Sequence, residues 1–194
     1  MRIGLLGGTF DPPHYGQLLV ASEVLEQCNL DEVWFVPNRL PPHKKGMPVT
    51  KKEHRLEMVR LAIEGNPSFR LSTIELEREG QSYTYDTIRQ LTVTYRNDRF
   101  FFIIGADMIN DLPNWHHIDK LVQMTTFIGI NRPGYSVESP YRAHIQTIDM
   151  PPFDVSSSFL RERFKLGKNT RYYLPERVRN YIEENDLYGS KRSD

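Results

Sequence analysis

Gly7-Gly8-Thr9-Phe10-Asp11-Pro12-Pro13-His14-Tyr15-Gly16-Gln17 follows a short apolar run, Ile3 to Leu6, and leads into residues with helical spacing. Leu18, Ala21, Leu25 and Cys28 lie three or four apart, as one face of an amphipathic helix requires. The order is therefore strand, glycine turn, polar loop and helix start. Such a junction suits an anion, because the first N–H groups of a helix lack partners and its macrodipole is positive there. Glycines at 7 and 8 let backbone approach a ligand where a Cβ would obstruct it. His14 and Gln17 are three apart, so on a helix they project from one face beside that site. The segment reads as a phosphate cradle. It is neither GxGxxG nor GxxxxGK[ST], which excludes the dinucleotide fingerprint and the ordinary P-loop.

Outward from this segment, strand and helix patterns alternate, which implies an α/β protein with a doubly wound, mostly parallel sheet covered on both faces. The expected strands are Ile3–Leu6, Val33–Pro37, Phe69–Leu71, Phe100–Gly105, Phe127–Asn131 and one near Ile145–Asp149. The expected helices are Gln17–Gln27, Lys52–Glu64, Tyr85–Tyr95 and a short one near Ile118–Met124. Two strands are continuous apolar runs, as burial on both faces demands. After Pro151-Pro152 the pattern turns purely helical, with Ser156 to Leu166 and Pro175 to Glu184. The 194 residues suit one domain, an α/β core over 1–150 with a small C-terminal helical extension over 151–188. Gly189 to Asp194 read as frayed.

Composition narrows the function classes. Lysine plus arginine equal aspartate plus glutamate at 25 each, which argues against a nucleic-acid or membrane-surface binder, since those carry a basic excess. The single cysteine, Cys28, cannot form an internal disulfide and lies on the apolar face of the first helix, where packing explains it. No leader pattern opens the sequence and no apolar run reaches the roughly 20 residues of a membrane helix. A cytoplasmic location is expected.

Ligands of doubly wound sheets sit beyond the carboxyl ends of the strands, where strand order reverses. The polar clusters follow strands accordingly: Thr9–His14, Asn38–Lys45, Asp107 and Arg132. Asn38 to Lys45 is a proline-stiffened basic loop, and a solvated loop is its plain reading. Lys51, Lys52, His54 and Arg55 read as a solvent face. Ser82 to Thr87 precedes a helix, where capping alone would explain the threonines and Asp86. Asp107 can cap a short helix or accept hydrogen bonds from vicinal hydroxyls. Trp115 stands in a loop, off any periodic apolar face. His116 and His117 lack a companion ligand and read as a surface pair rather than a zinc site. In Val155-Ser156-Ser157-Ser158-Phe159-Leu160-Arg161, serine capping and an arginine one turn further along make a second anion site.

These segments, in this order, resemble the nicotinate-mononucleotide adenylyltransferases of the nucleotidyltransferase superfamily. The first matches their GGTFDPxHxGH signature, except that the second histidine is Gln17. Asn38, His43 and Lys44 match a PPHK loop, Tyr83 and Thr84 an SYTxDT segment, Asp107 a GxD motif, Trp115 a PxW element, and Ser156, Ser157 and Arg161 an SSxxxR motif. The matches run from Gly7 to Arg161 and imply a Rossmann-like fold. They imply that Gly8, Thr9, Phe10, His14, Gly105, Asp107, Ser156, Ser157 and Arg161 hold ATP. Asn38, His43, Tyr83, Thr84, Trp115 and Arg132 would hold the mononucleotide, with Trp115 stacked on its ring. His14, Gln17, Lys44 and Arg161 would be the catalytic set. Mg2+ would come with ATP, since no acidic cluster offers a metal cage, and homo-oligomerisation is left open. Two other readings stay in view: a phosphopantetheine adenylyltransferase, which the SYTxDT and PxW elements oppose, and a nucleotide-binding protein whose chemistry Gln17 has disabled.

Overall fold

The computed structural model describes residues 1–39, 49–131 and 139–190. Six strands, β1 (Arg2–Gly8), β2 (Glu32–Pro37), β3 (Phe69–Leu71), β4 (Arg99–Gly105), β5 (Thr126–Ile130) and β6 (Ile145–Ile148), form one sheet in the order β3-β2-β1-β4-β5-β6. Every pairing is parallel. Among the described residues, seven α-helices accompany them: α1 (Tyr15–Gln27), α2 (Lys52–Ile63), α3 (Thr84–Thr94), α4 (Ala106–Asp111), α5 (Ile118–Met124), α6 (Ser157–Lys165) and α7 (Glu176–Glu184). All the expected strands and helices are present. The short helix weighed at Asp107 is α4, whose six residues are too few to show a helical period.

The strand sequences sort their side chains between two layers by simple alternation. Ile3, Leu5, Phe100, Phe102 and Ile104 join Ile88 and Leu91 of α3 and Leu121 of α5 in one core. Leu6, Phe101, Ile103, Val33 and Phe35 face the other way, onto Ala21 and Val24 of α1 and Val59 and Ile63 of α2. A third cluster joins Met58 of α2 to Leu160 and Phe164 of α6 and Val178 and Ile182 of α7. The helical extension is thereby fixed to the α1/α2 side of the sheet.

Gly7 and Gly8 turn out to be strand residues, in register with Val36 and Pro37. Their smallness serves the protein's own rings first. A Cβ at Gly7 would lie 3.2 Å from Phe102 Cζ, and one at Gly8 would lie 3.1 Å from Phe10 Cζ. Strand order reverses between β1 and β4, and the loops leaving those two strands border the cleft described next.

Candidate active site

The loop after β1 is built from inside outward. Phe10 has φ of +50 and no solvent exposure; its ring packs on Phe35 at 5.7 Å. With the whole residue buried, Phe10 anchors the loop in the core. His14 is not on the α1 helix face, as the spacing suggests, but is its N-cap with extended backbone. Gln17 folds back and its Oε1 accepts the His14 N–H at 3.2 Å. The helix start offers fewer open amides than expected, since Tyr15 N–H donates to Tyr173 O at 2.9 Å and Gln17 N–H to His14 O at 3.0 Å. Gly16 is required by crowding: a Cβ there would stand 3.1 Å from both His14 Nδ1 and Phe153 Cδ1.

His14 is 6% exposed, its Nδ1 has no protein partner, and burial pushes its pKa down to about 4. The imidazole is therefore neutral at pH 7 in the empty protein. A histidine whose folded pKa lies below the unfolded value costs stability as pH falls from about 6.5 towards 4, by roughly 3 kcal/mol when complete. Proton NMR titration of the ring is expected to give a midpoint near 4 without ligand and a higher one with ATP bound, as the triphosphate favours imidazolium. A midpoint near 6.5 in the empty protein would contradict this burial.

Residues some 150 positions away clamp the same loop. Ser157 Oγ donates to Pro12 O at 2.8 Å, and Arg161 Nη1 donates to Asp11 O at 2.8 Å while Nη2 donates to Ser158 Oγ at 3.1 Å. Ser156 caps α6, its Oγ accepting Phe159 N–H at 3.2 Å. The two anion motifs read separately in the sequence thus meet, and their side chains hold each other. Arg55, expected on a solvent face, is 2% exposed; it donates to Thr9 O at 2.8 Å and to Thr50 O at 3.2 Å. His54 is likewise engaged, Nδ1 lying 2.8 Å from Tyr181 Oη.

Two cavities share a wall of Gly7, Ile103, Ile104 and Met108, at the carboxyl ends of β1 and β4. The smaller, about 360 Å³, is lined by Gly8, Thr9, Asn38, Tyr83, Thr84, Trp115 and His116. The larger, about 520 Å³, runs past His14, Gln17 and Gly105 towards the Met150–Val155 segment. Asn38 is placed by its N–H, which donates to Gly8 O at 2.9 Å. Trp115 stands edge-on to Phe102 and Phe127 at 6.0 and 5.9 Å, which leaves one side of its ring for the cavity. His116 and His117 are exposed and contact the rings of Tyr83 and Tyr85. Buried side-chain atoms without a partner are few among the described residues, and three of them line these cavities: Asn38 Oδ1, Trp115 Nε1 and His14 Nδ1. An orphan acceptor and two orphan ring nitrogens in paired hollows are what a missing polar ligand leaves behind.

Asp107 is not the helix cap; Gly105 is, and Asp107 follows inside α4. A Cβ on residue 105 would lie 2.6 Å from Asp107 Oδ1, so the glycine makes room for that carboxylate, which is exposed beside Gly105 at the larger cavity. His43, Lys44 and Arg132 lie outside the described residues.

Glu75 is a site residue that motif reading passes over. It lines the smaller cavity, is 6% exposed, and burial raises its pKa. Thr87 Oγ1 donates to Glu75 Oε1 at 2.7 Å and accepts from Arg78 Nη2 at 2.6 Å. Ser82 Oγ accepts Arg39 N–H at 3.1 Å, tying the chain after β2 to the start of α3. Thr87→Val keeps the shape but strips the buried Glu75 and the half-buried Arg78 of a partner. A stability loss of about 1–3 kcal/mol is expected in urea unfolding, and a neutral result would remove this network from the account.

A cytidylyltransferase-like family model matches residues 5–163. A probable nicotinate-nucleotide adenylyltransferase from Geobacillus thermodenitrificans is 56% identical over 192 residues, covering 99% of this chain and 88% of the relative. The nicotinate-nucleotide adenylyltransferase of Bacillus subtilis is 54% identical over 189 residues, covering 97% of this chain and 99% of the relative. Among solved structures, the Plasmodium falciparum nicotinic acid mononucleotide adenylyltransferase complexed with NaAD superposes with a TM-score of 0.82 at 23% identity, covering 98% of each chain. That likeness bears on the fold. Sequence identity carried along nearly the whole chain places it in the cytidylyltransferase-like family, among the nicotinate-nucleotide adenylyltransferases.

Proposed function

We propose that the protein transfers an adenylyl group from ATP to nicotinate mononucleotide, giving nicotinate adenine dinucleotide and pyrophosphate, a step of NAD biosynthesis. The observation that carries this is the pair of adjoining cavities, each with buried polar atoms awaiting a partner. The acceptor fits the smaller one. Trp115 offers a ring face and an Nε1 donor, Asn38 an acceptor, and Tyr83 and Thr84 the opposite wall. ATP fits the larger one, with its phosphates at the His14 loop and its ribose towards Asp107.

An oxygen of the mononucleotide phosphate attacks the α-phosphorus in line. A new P–O bond forms as the bond to pyrophosphate breaks. That phosphate is already nucleophilic, so no general base is needed and catalysis is positioning with charge neutralisation. His14 and Gln17 stand at the larger cavity and donate to the phosphates. Arg161, with one bond to Asp11 O and another to Ser158, keeps further N–H groups for the leaving pyrophosphate. Ser157 acts through Pro12, as a clamp on the loop. In this reading Lys44 adds a positive charge and His43 and Arg132 are acceptor-binding residues, all three outside the described residues. Mg2+ travels with ATP and supplies charge neutralisation; among the described residues no three His, Cys, Asp or Glu side chains gather to hold a metal ion.

The test is pyrophosphate release from ATP and Mg2+ with nicotinate mononucleotide, nicotinamide mononucleotide and phosphopantetheine offered in parallel. Release dependent on nicotinate mononucleotide is expected. Release with phosphopantetheine instead would move the chain to another acceptor class, and ATP binding without any release would make it a nucleotide-binding protein.

A further inference from the structure

Asp11 sits in the middle of the loop after β1, yet nothing in the reaction uses its carboxylate. That carboxylate is 2% exposed. Its Oδ1 accepts the Tyr188 hydroxyl at 2.5 Å, and its Oδ2 accepts Thr50 N–H at 3.2 Å. Tyr188 arrives from the far end of the chain, beyond α7. Asp186, Tyr188 and Gly189 have φ of +52, +61 and +71, so two residues other than glycine hold left-handed backbone to deliver this ring. Such conformations persist where the surroundings over-determine them.

Packing accounts for the ring but not for its hydroxyl. The ring packs with Phe164 at 6.0 Å between centroids and against the cluster that holds Met58, a site phenylalanine would fill equally well. The hydroxyl donates to Asp11 and also lies 3.8 Å from Met58 Sδ. Burial and that carboxylate hold the phenol protonated, and so a donor, at any working pH. The same short stretch of chain has its carbonyls occupied in turn: Thr9 O by Arg55, Asp11 O by Arg161 and Pro12 O by Ser157. Tyr188 and Thr50 complete that set of restraints from the carboxylate side. Asp11, Arg161 and Tyr188 line an open concavity of their own, beside the two cavities at the strand ends.

We propose that Tyr188 is a positioning residue for ATP: its hydroxyl, acting through the Asp11 carboxylate, fixes the 9–12 backbone so that His14 and Arg161 meet the triphosphate in register. The inference rests on the assignment of this loop to the ATP phosphates. Losing one hydrogen bond to a buried carboxylate lets the loop relax, which raises KM for ATP and lowers kcat while sparing the acceptor cavity.

The experiment compares Tyr188→Phe, Asp11→Ala and the double variant with the parent, alongside Ser190→Ala. Ser190 Oγ donates to Ile182 O at 3.0 Å and so fastens the same terminal turn without touching Asp11. Tyr188→Phe is expected to lower kcat/KM for ATP by about 5- to 50-fold, with KM for nicotinate mononucleotide within about twofold of the parent. The double variant should match Asp11→Ala alone, because removing the carboxylate already removes the contact that Tyr188→Phe breaks. Ser190→Ala should lower the melting temperature and leave KM for ATP in place. An unchanged kcat/KM for ATP in Tyr188→Phe would overturn the proposal. So would additive effects of the two substitutions, or a Ser190→Ala variant that shows the same ATP defect. Calorimetric ATP binding to the same variants separates the two readings. If the parent binds ATP but releases no pyrophosphate, adenylyl transfer fails while the Tyr188→Phe loss of ATP affinity still tests the contact.

Discussion

His14→Ala is expected to lower kcat by ~10²–10³-fold, with KM for either substrate changed far less. The reasoning starts from burial. The imidazole sits neutral at the N-cap of α1 with Nδ1 unpaired, so alanine costs the empty protein packing but no hydrogen bond at that atom. Its partner must appear during the reaction, when negative charge grows on the oxygens between the α and β phosphates. A donor fixed beforehand in a low-dielectric hollow stabilises that charge without reorganising. The variant should still fold at pH 7, less stably than the parent by the packing of the lost ring. It should also lose the acid sensitivity between about pH 6.5 and 4 that the buried ring imposes. Steady-state kinetics beside urea unfolding at both pH values would check this. A kcat within about threefold of the parent would place His14 outside the chemistry.

Gln17→His restores the signature from which this chain departs, and an increase in kcat of about tenfold is expected at pH 6, where the new imidazole can carry charge. The structure adds detail to that expectation. Gln17 Oε1 accepts the His14 N–H, which leaves the amide nitrogen to donate towards the phosphates. A neutral imidazole places an acceptor and a donor across one carbon in the same way. Glutamine therefore reproduces the hydrogen-bond pattern of a neutral histidine and lacks only its charge. The gain should fade as pH rises through about 6.5 to 7 and the imidazolium is lost. The charged ring cannot accept from His14, so the same variant should lose about 0.5–1 kcal/mol of stability at low pH. A pH-independent gain, or none, would show that charge at residue 17 plays no part.

The secondary structure was legible because β4 and β5 are unbroken apolar runs and because Leu18, Ala21 and Leu25 keep a helical period. Strand ends moved by a residue or two, most visibly at β1, which absorbs the two glycines read as a turn. The site was legible wherever a motif is local: Tyr83, Thr84, Trp115 and Asn38 do line one cavity. What escaped is chemistry decided by burial and by long-range contact. Arg55 looks like one more surface cation until Met58 and Val59, on the same helical face, carry it into the interior. Glu75 has no spacing to mark it, and its altered proton affinity comes from the walls around it. Tyr188 meets Asp11 across nearly the whole chain, a distance no local pattern spans.

The clamps on the first loop have a consequence for the order of synthesis. β1 is made first but lies in the middle of the sheet, so its edge towards β4 stays unpaired until Arg99–Gly105 has been translated. Contacts between residues far apart in sequence also form slowly, which prolongs the exposure of that edge. The bonds from Ser157 and Arg161 to Pro12 and Asp11 close later still. A ribosome paused before Ser157 therefore carries a chain that already holds the GGTFDPPHYG residues but has no finished cradle for nucleotide. ATP can support folding of this protein only once the helical extension has emerged.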